Sequence, residues 1–197
     1  EYNGHMYPTK MFDWEEHRRE HMIRHANVLD AVAGQEDIAG SFGWCMFDYN
    51  THKDFGSGDR ICYHGVMDMF RNPKLAAAAY ASQGEAEPVL EISSSMDIGD
   101  SPAGQLGQVY TFSNAQQVKL YKNDVFVTDL ARSEWDSLPH PPFVVDDTIG
   151  ELLETQEHFA PAKAALLRDC LLAAGKYGLP GLPLSYKLKL GWCMLRY

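Results

Sequence analysis

Near Gly84 the texture of the chain changes, and that change narrows the architectures open to it. Before Gly84, helical and apolar segments alternate. In "DWEEHRREHMIRHANVLDAVAG", Asp13 is a candidate N-cap, Glu16 would complete a capping box and Gly34 would stop the helix. Trp14, His21, His25, Val28, Leu29 and Val32 recur at helical spacing and define one face that must pack. The run "IAGSFGWCMF" (38–47) is apolar throughout rather than alternating, which predicts a strand buried on both faces, as in parallel sheets. A polar loop with Gly56, Gly58 and Gly65 follows. Asn72 as N-cap, Pro73 at the first helical position, an alanine run and Gly84 as terminator then predict a second helix.

After Gly84 the runs "PVLEISSSM", "QVYTFSN", "QVKLYKN" and "VFVTDL" read as short strands, the last two joined by a hairpin at Asn123–Asp124. The stiff segment "SLPHPPF" leads into helical stretches from about residue 146: "DDTIGELLETQ", "APAKAALLRDCLLAAGKYG" and "LSYKLKLGWCMLRY". The expected class is α/β plus β. Residues 1–83 form the end of a β/α architecture, too little to close a sheet or barrel alone, and residues 84–197 form a β-sandwich-like domain with a helical segment.

Composition excludes several roles. With 45% hydrophobic and 22% charged residues the chain is globular, and its formal charge of −10 argues against nucleic acid, which demands clustered cations. Its longest apolar run is far short of a membrane span. Cys45, Cys62, Cys170 and Cys193 sit in apolar segments without CxxC spacing, so buried free thiols are favoured over disulfides. That leans toward a reducing, cytoplasmic setting. The chain opens on Glu1 rather than methionine, which suggests a cut chain and leaves an upstream targeting signal open.

Three constellations could carry chemistry. Glu1 with His5 offers a carboxylate able to act as nucleophile, base or ligand. His17, His21 and His25, at i, i+4 and i+8, could share a metal, but no third-party ligand is signalled and packing explains that face better. In "GWCMFDYNTHKDFGSGDRICYHG", Trp44 and Asp48 at the end of the apolar run suit a sugar pocket, an aromatic plate beside polar groups. Trp44 as ordinary core stands equally well on spacing alone.

The segments "EYNGHMYPTK", "GWCMFDYNTHKDFGSGDRICYHGVMDMFRNPK" and "EISSSMDIGDSPAGQLGQVYTFSNAQQVKLYKN" resemble the C-terminal half of a glycoside hydrolase family 2 enzyme of β-galactosidase type. The resemblance implies the last strands and helices of a (β/α)8 barrel followed by a β-sandwich-like domain. It implies a retaining glycosidase, with Glu1 of the E-Y motif as nucleophile and no cofactor, a metal ion in a longer parent being left open. Trp44, Asp48, His64 and His5 then bind substrate, His5 with its register one residue off. "CYHG" stands where β-glucuronidases of the family carry Asn-x-Lys, so a β-galactoside or related neutral sugar is preferred to a uronic acid. The family's acid/base glutamate, in an Asn-Glu pair, has no counterpart in these 197 residues, so the chain alone is expected to be inactive. Its partners are then the sugar and the rest of the barrel, and an apolar surface along 13–47 is expected to favour oligomers. The competing expectation is a carbohydrate-binding or structural module without catalysis. Trp135 would then offer an exposed ring from a loop, whereas Trp192 reads as core.

Overall fold

The computed structural model describes residues 1–4, 7–52, 60–97 and 106–196, with side chains through residue 193. Two compact units share the chain. The first is Glu1–Ser93, Thr111–Gln116 and Arg132–Phe143; the second is Ser94–Tyr110, Gln117–Ala131 and Val144–Tyr197.

In the first unit the histidine-rich stretch forms α1 (Glu15–Ala33). Its N-cap is Trp14, not Asp13. The Asp13 carboxylate is committed elsewhere, accepting the Lys10 amide at 2.7 Å, so no capping box forms. Glu15 and Glu16 still complement the positive end of the helix. Gly34 does end it, without a left-handed turn, its φ being −76°. The buried face comprises His21, Met22, His25 and Ala26 and packs on α2 (Leu75–Ala81), whose Ala76 to Ala79 are buried. Alanine lets the two backbones approach closely, and this displaces the expected face: Trp14 is 75% exposed, and Val28, Leu29 and Val32 are half-buried. Helix α2 starts later than expected because Lys74 is its N-cap, while the Asn72 amide is held by Asp68 at 2.7 Å.

Residues 38–47 are not a buried strand. They make only isolated bridges, with Ile38, Phe42 and Met46 exposed. A strand buried on both faces needs a paired neighbour on each edge and a layer on each side. Here the pairing is a single parallel bridge on either edge, Tyr2 to Gly43 and Phe47 to Met67. A largely apolar cavity of about 430 Å³, bordered by Gly43, Cys45, Met46, Val66, Ala77 and Tyr80, lies between this segment and α2. Beyond it, β1 (Tyr49–Asn50) pairs antiparallel with β2 (Ile61–Cys62); the loop glycines 56 and 58 lie outside the described residues.

The strand signals after Gly84 become β3 (Leu90–Ile92), β4 (Val109–Ser113), β5 (Lys119–Lys122) and β6 (Val125–Asp129), followed by the short β7 (Ala131–Arg132) and β8 (Phe143–Val145). One antiparallel ladder sets Leu90 opposite Ser113 and Ile92 opposite Thr111, within a sheet ordered β3-β4-β8-β7. The boundary between the units runs through β4, β7 and β8 themselves. In the second unit β5 and β6 form the expected hairpin; Asn123 and Asp124 take φ of 48° and 65°, the left-handed pair that a two-residue turn requires. Three helices follow: α3 (Leu152–Thr155), α4 (Pro161–Gly181) and α5 (Leu184–Arg196). Helix α4 is broken at Gly178, with φ 68° and ψ 158°. Gly150 has φ +53° and sits so close to Val127 that a Cβ would lie 2.1 Å from its carbonyl oxygen. Trp192, expected in the core, is 48% exposed on α5. Among the described residues the sheets are small and none closes into a barrel.

The four cysteines are unbridged, three of them buried and Cys45 partly so. No helix among the described residues is long and apolar enough to cross a membrane.

The first unit is tied together by the Lys74 ammonium. It donates to Asp48 Oδ1 and to the Thr9 carbonyl, both at 2.6 Å, and to the Tyr63 carbonyl at 3.3 Å. Asp48 Oδ1 also accepts the Gly65 amide at 2.9 Å. Both side chains of the ion pair are almost wholly buried. Burial lifts the Asp48 carboxyl above its ordinary range, against the pull of Lys74 and Gly65, and burial lowers the Lys74 ammonium, against the pull of Asp48. Desolvation therefore offsets much of the attraction, and neither charge tolerates loss of the other.

Two predictions follow from this packing. Lys74→Met, which strands a buried carboxylate, will destabilise the chain by about 3–5 kcal/mol in urea unfolding, and adding Asp48→Leu will recover part of the loss. A single variant as stable as the parent would show the pair to be dispensable. The second concerns the imidazoles of α1. Burial lowers His21 from 6.5 to about 2 and His25 to about 4. The unfolded chain takes up these protons near pH 6.5 and the folded chain only well below it, so stability is present above 6.5 and falls as the pH drops toward 4. At about 1.4 kcal/mol per pH unit per group, the two histidines together will cost about 2–3 kcal/mol between pH 7 and 5.5. Urea midpoints that stay flat over that range would refute it.

Candidate active site

The segments that carry the expected site residues meet along residues 42–48. On one edge, Tyr2 N donates to the Phe42 carbonyl at 3.0 Å and Trp44 N to the Tyr2 carbonyl at 2.8 Å. On the other, Cys45 N donates to the His64 carbonyl at 3.3 Å, Val66 N to Cys45 at 2.9 Å and Asp48 N to Met67 at 2.9 Å. Three strand-like runs thus lie side by side, with Tyr2 on one flank and residues 64–67 on the other. Gly65 permits the second approach: a Cβ there would stand 2.3 Å from the Asp48 amide nitrogen and 2.5 Å from the Met67 carbonyl oxygen.

This arrangement sets Glu1, which is exposed, one residue from the backbone contact with Trp44. Trp44 is 36% exposed and is not core. Its indole Nε1 donates to the Tyr49 hydroxyl at 3.2 Å, and the two rings meet edge to face at 6.2 Å, which holds the indole in one orientation. A carboxylate and a fixed, partly exposed aromatic face from neighbouring runs can offer a nucleophile or hydrogen-bond acceptor beside a platform for apolar C–H groups.

The other expected site residues behave differently. Asp48 and His64 are buried and turned inward, Asp48 onto Lys74 and Gly65, His64 with Nδ1 2.7 Å from the Cys62 sulfur. His5 lies outside the described residues. The histidines of α1 do not converge as ligands: His17 Nε2 meets the Pro8 carbonyl at 2.9 Å and its ring stacks on Tyr7, whereas His21 and His25 contact each other edge to face at 4.9 Å. Among the described residues no three His, Cys, Asp or Glu side chains gather as a metal-binding group.

Sequence reasoning passes over one set of residues behind this wall. The Tyr2 and Tyr80 hydroxyls are 2.6 Å apart, and the Tyr80 hydroxyl lies 2.8 Å from His25 Nδ1. Burial, reinforced by Tyr2, raises the Tyr80 phenol far above its ordinary range, and His25 is held neutral near pH 7 by its lowered value of about 4. The one available signal was Tyr80 itself, a large polar-tipped ring inside an alanine run that otherwise asks only for close packing.

No family model matches the chain. It is, however, similar to three proteins named beta-galactosidase. The protein of Thermoanaerobacterium thermosulfurigenes is 47% identical over 151 residues, covering 74% of this chain and 21% of that protein. The protein of Thermoanaerobacter pseudethanolicus is 46% identical over 148 residues, 73% of this chain and 20% of its own. That of Rhizobium meliloti is 35% identical over 150 residues, 74% of this chain and 20% of its own. The chain spans about one fifth of the length of each.

Proposed function

We propose that this chain supplies one wall of the active site of a retaining β-galactosidase of glycoside hydrolase family 2. The observation that carries the reading is the 35–47% identity to proteins named beta-galactosidase over about three quarters of the chain. The local geometry agrees with it: an exposed carboxylate at Glu1, one residue from the Tyr2–Trp44 backbone contact, beside a partly exposed indole held by Tyr49. Residues 1–83 are read as the end of the catalytic barrel and 84–197 as an accessory, sandwich-like domain with helices.

On this reading the Glu1 carboxylate attacks the anomeric carbon of a terminal β-galactoside. A bond forms from carboxylate oxygen to C1 as the glycosidic C–O bond breaks, and a second carboxylic acid outside this chain protonates the departing oxygen. Water, deprotonated by that same second group, then displaces Glu1 and releases the sugar with its configuration retained. Trp44 stacks on the apolar face of the pyranose. Asp48 and His64 serve the subsite from behind, Asp48 by holding the 63–65 turn in place. A neutral sugar is preferred on this reading, since "CYHG" stands where β-glucuronidases of the family carry Asn-x-Lys. The apolar residues exposed along 11–46 would be covered by the rest of the barrel or in an oligomer.

Two outcomes are expected. In the longer protein that carries this chain, Glu1→Gln will lower kcat for a nitrophenyl β-galactoside by about a thousandfold, and azide will restore turnover as a substitute nucleophile. The 197-residue chain by itself will hydrolyse none. Full activity of the Glu1 variant would overturn the assignment of the nucleophile, and hydrolysis by the isolated chain would overturn the need for a second acid from elsewhere.

A further inference from the structure

Tyr2 is held at three points. Its amide and carbonyl bond to the 42–44 segment, and its hydroxyl bonds to Tyr80, which is bonded in turn to His25 on α1. Gly43 makes room for this meeting. A Cβ at that position would lie 2.4 Å from the Tyr80 hydroxyl oxygen and 3.2 Å from that of Tyr2, so any other residue would push the two phenols apart. Gly43 is also the bridge partner of Tyr2. The same position therefore accommodates the backbone pairing and the phenol pair. His25 is wholly buried, and both it and Tyr80 meet neighbours edge to face: His25 with His21, Tyr2 and Tyr80, the last two at 5.9 and 5.6 Å. The ring at the far end of the chain of bonds consequently has little freedom to swing.

We propose that Tyr80 and His25 are positioning residues for Glu1, acting through Tyr2. They fix the Tyr2 ring, the ring fixes the Tyr2 peptide, and that peptide sets the distance and angle between the Glu1 carboxylate and the Trp44 platform. Both helices contribute, so the packing of α1 on α2 is read out at the carboxylate. The inference rests on the reading of Glu1 as nucleophile. Its chemical content is that attack on the anomeric carbon requires the carboxylate to be pre-aligned, and small displacements of such a group cost rate rather than affinity.

The test uses the longer protein carrying this chain. Tyr80→Phe and Tyr2→Phe each delete one hydroxyl while keeping the ring, so the fold is disturbed little and either variant can stand in if the other fails to fold. Each is expected to lower the rate of covalent trapping by a 2-deoxy-2-fluoro-galactoside, and kcat, about tenfold, with KM changed less than twofold. The double variant should be no slower than either single one, because both remove the same link. A residue of merely structural role would lower Tm and leave the trapping rate of the folded enzyme unchanged, and would show additive losses. Trapping rates within twofold of the parent in both variants would overturn the proposal, as would a tenfold loss that appears wholly in KM. Glu1→Gln, assayed alongside, separates the two failures: a dead, azide-rescued Glu1 variant with unaffected tyrosine variants sinks the positioning role alone, whereas an active Glu1 variant sinks the nucleophile and the positioning role together.

Discussion

A single ammonium group, Lys74 Nζ, sets the register of the first unit. Its three acceptors come from Thr9, Asp48 and Tyr63, and the Asp48 carboxylate passes the connection on to the Gly65 amide. These segments are separate in sequence, and the Thr9 amide also donates to the Tyr63 carbonyl at 2.9 Å. A buried lysine that spends its donors on carbonyls and one carboxylate has a defined geometry, because any other arrangement strands a charge or a carbonyl away from water. The pair adds little net stability, since desolvation moves both groups toward their neutral forms. Its contribution is uniqueness: the 42–48 run can slide against neither neighbour while Asp48 is held.

At the opposite end of the same run lies the Tyr2–Tyr80–His25 chain, so the segment that presents Trp44 is fixed from both ends. One tie is ionic and buried, the other neutral and aromatic. Between them only two short sets of backbone bonds are needed to keep Tyr2 against residues 42–44 and those residues against 64–67. This explains how a wall can be specific without a regular strand. The side chains that present chemistry are exposed at its surface, and the ones that hold it, His25, Asp48 and Lys74, are buried polar groups.

Much of this was legible in the sequence, and the reasons for the rest are physical. The helices and the Asn123–Asp124 hairpin follow local rules, and local rules suffice where the partner groups are close in sequence. The capping box at Asp13 failed because a nearer donor, the Lys10 amide, competes for the same carboxylate. Lys74 was invisible: lysine is ordinarily a surface residue, and only the fold brings three acceptors to it. Trp44 could be read as plate or core from spacing, and its 36% exposure settles that it is not core. Asp48 and His64 were singled out as polar groups near an aromatic ring, which is right about the neighbourhood and silent on direction; the structure turns both inward.

The stretch 38–47 makes the same point most sharply. Its composition specifies a strand covered on both faces, yet composition can specify only what a segment tolerates, whereas strand pairing is a property of at least two segments. Here each edge has one parallel bridge, and Phe42 is left 81% exposed. The bridges are nonetheless parallel, which is the pairing that continuous apolar runs are suited to, and they flank the segment on both sides. On the proposed reading, then, the sequence anticipates neighbours that would extend those bridges into ladders, and Lys74 with Tyr80 keeps the central run in register for them. A run with this code but no such anchors would have no reason to stay aligned. The anchors rather than the strand are therefore what these residues contribute on their own account, and they account for the backbone contact between Tyr2 and Trp44.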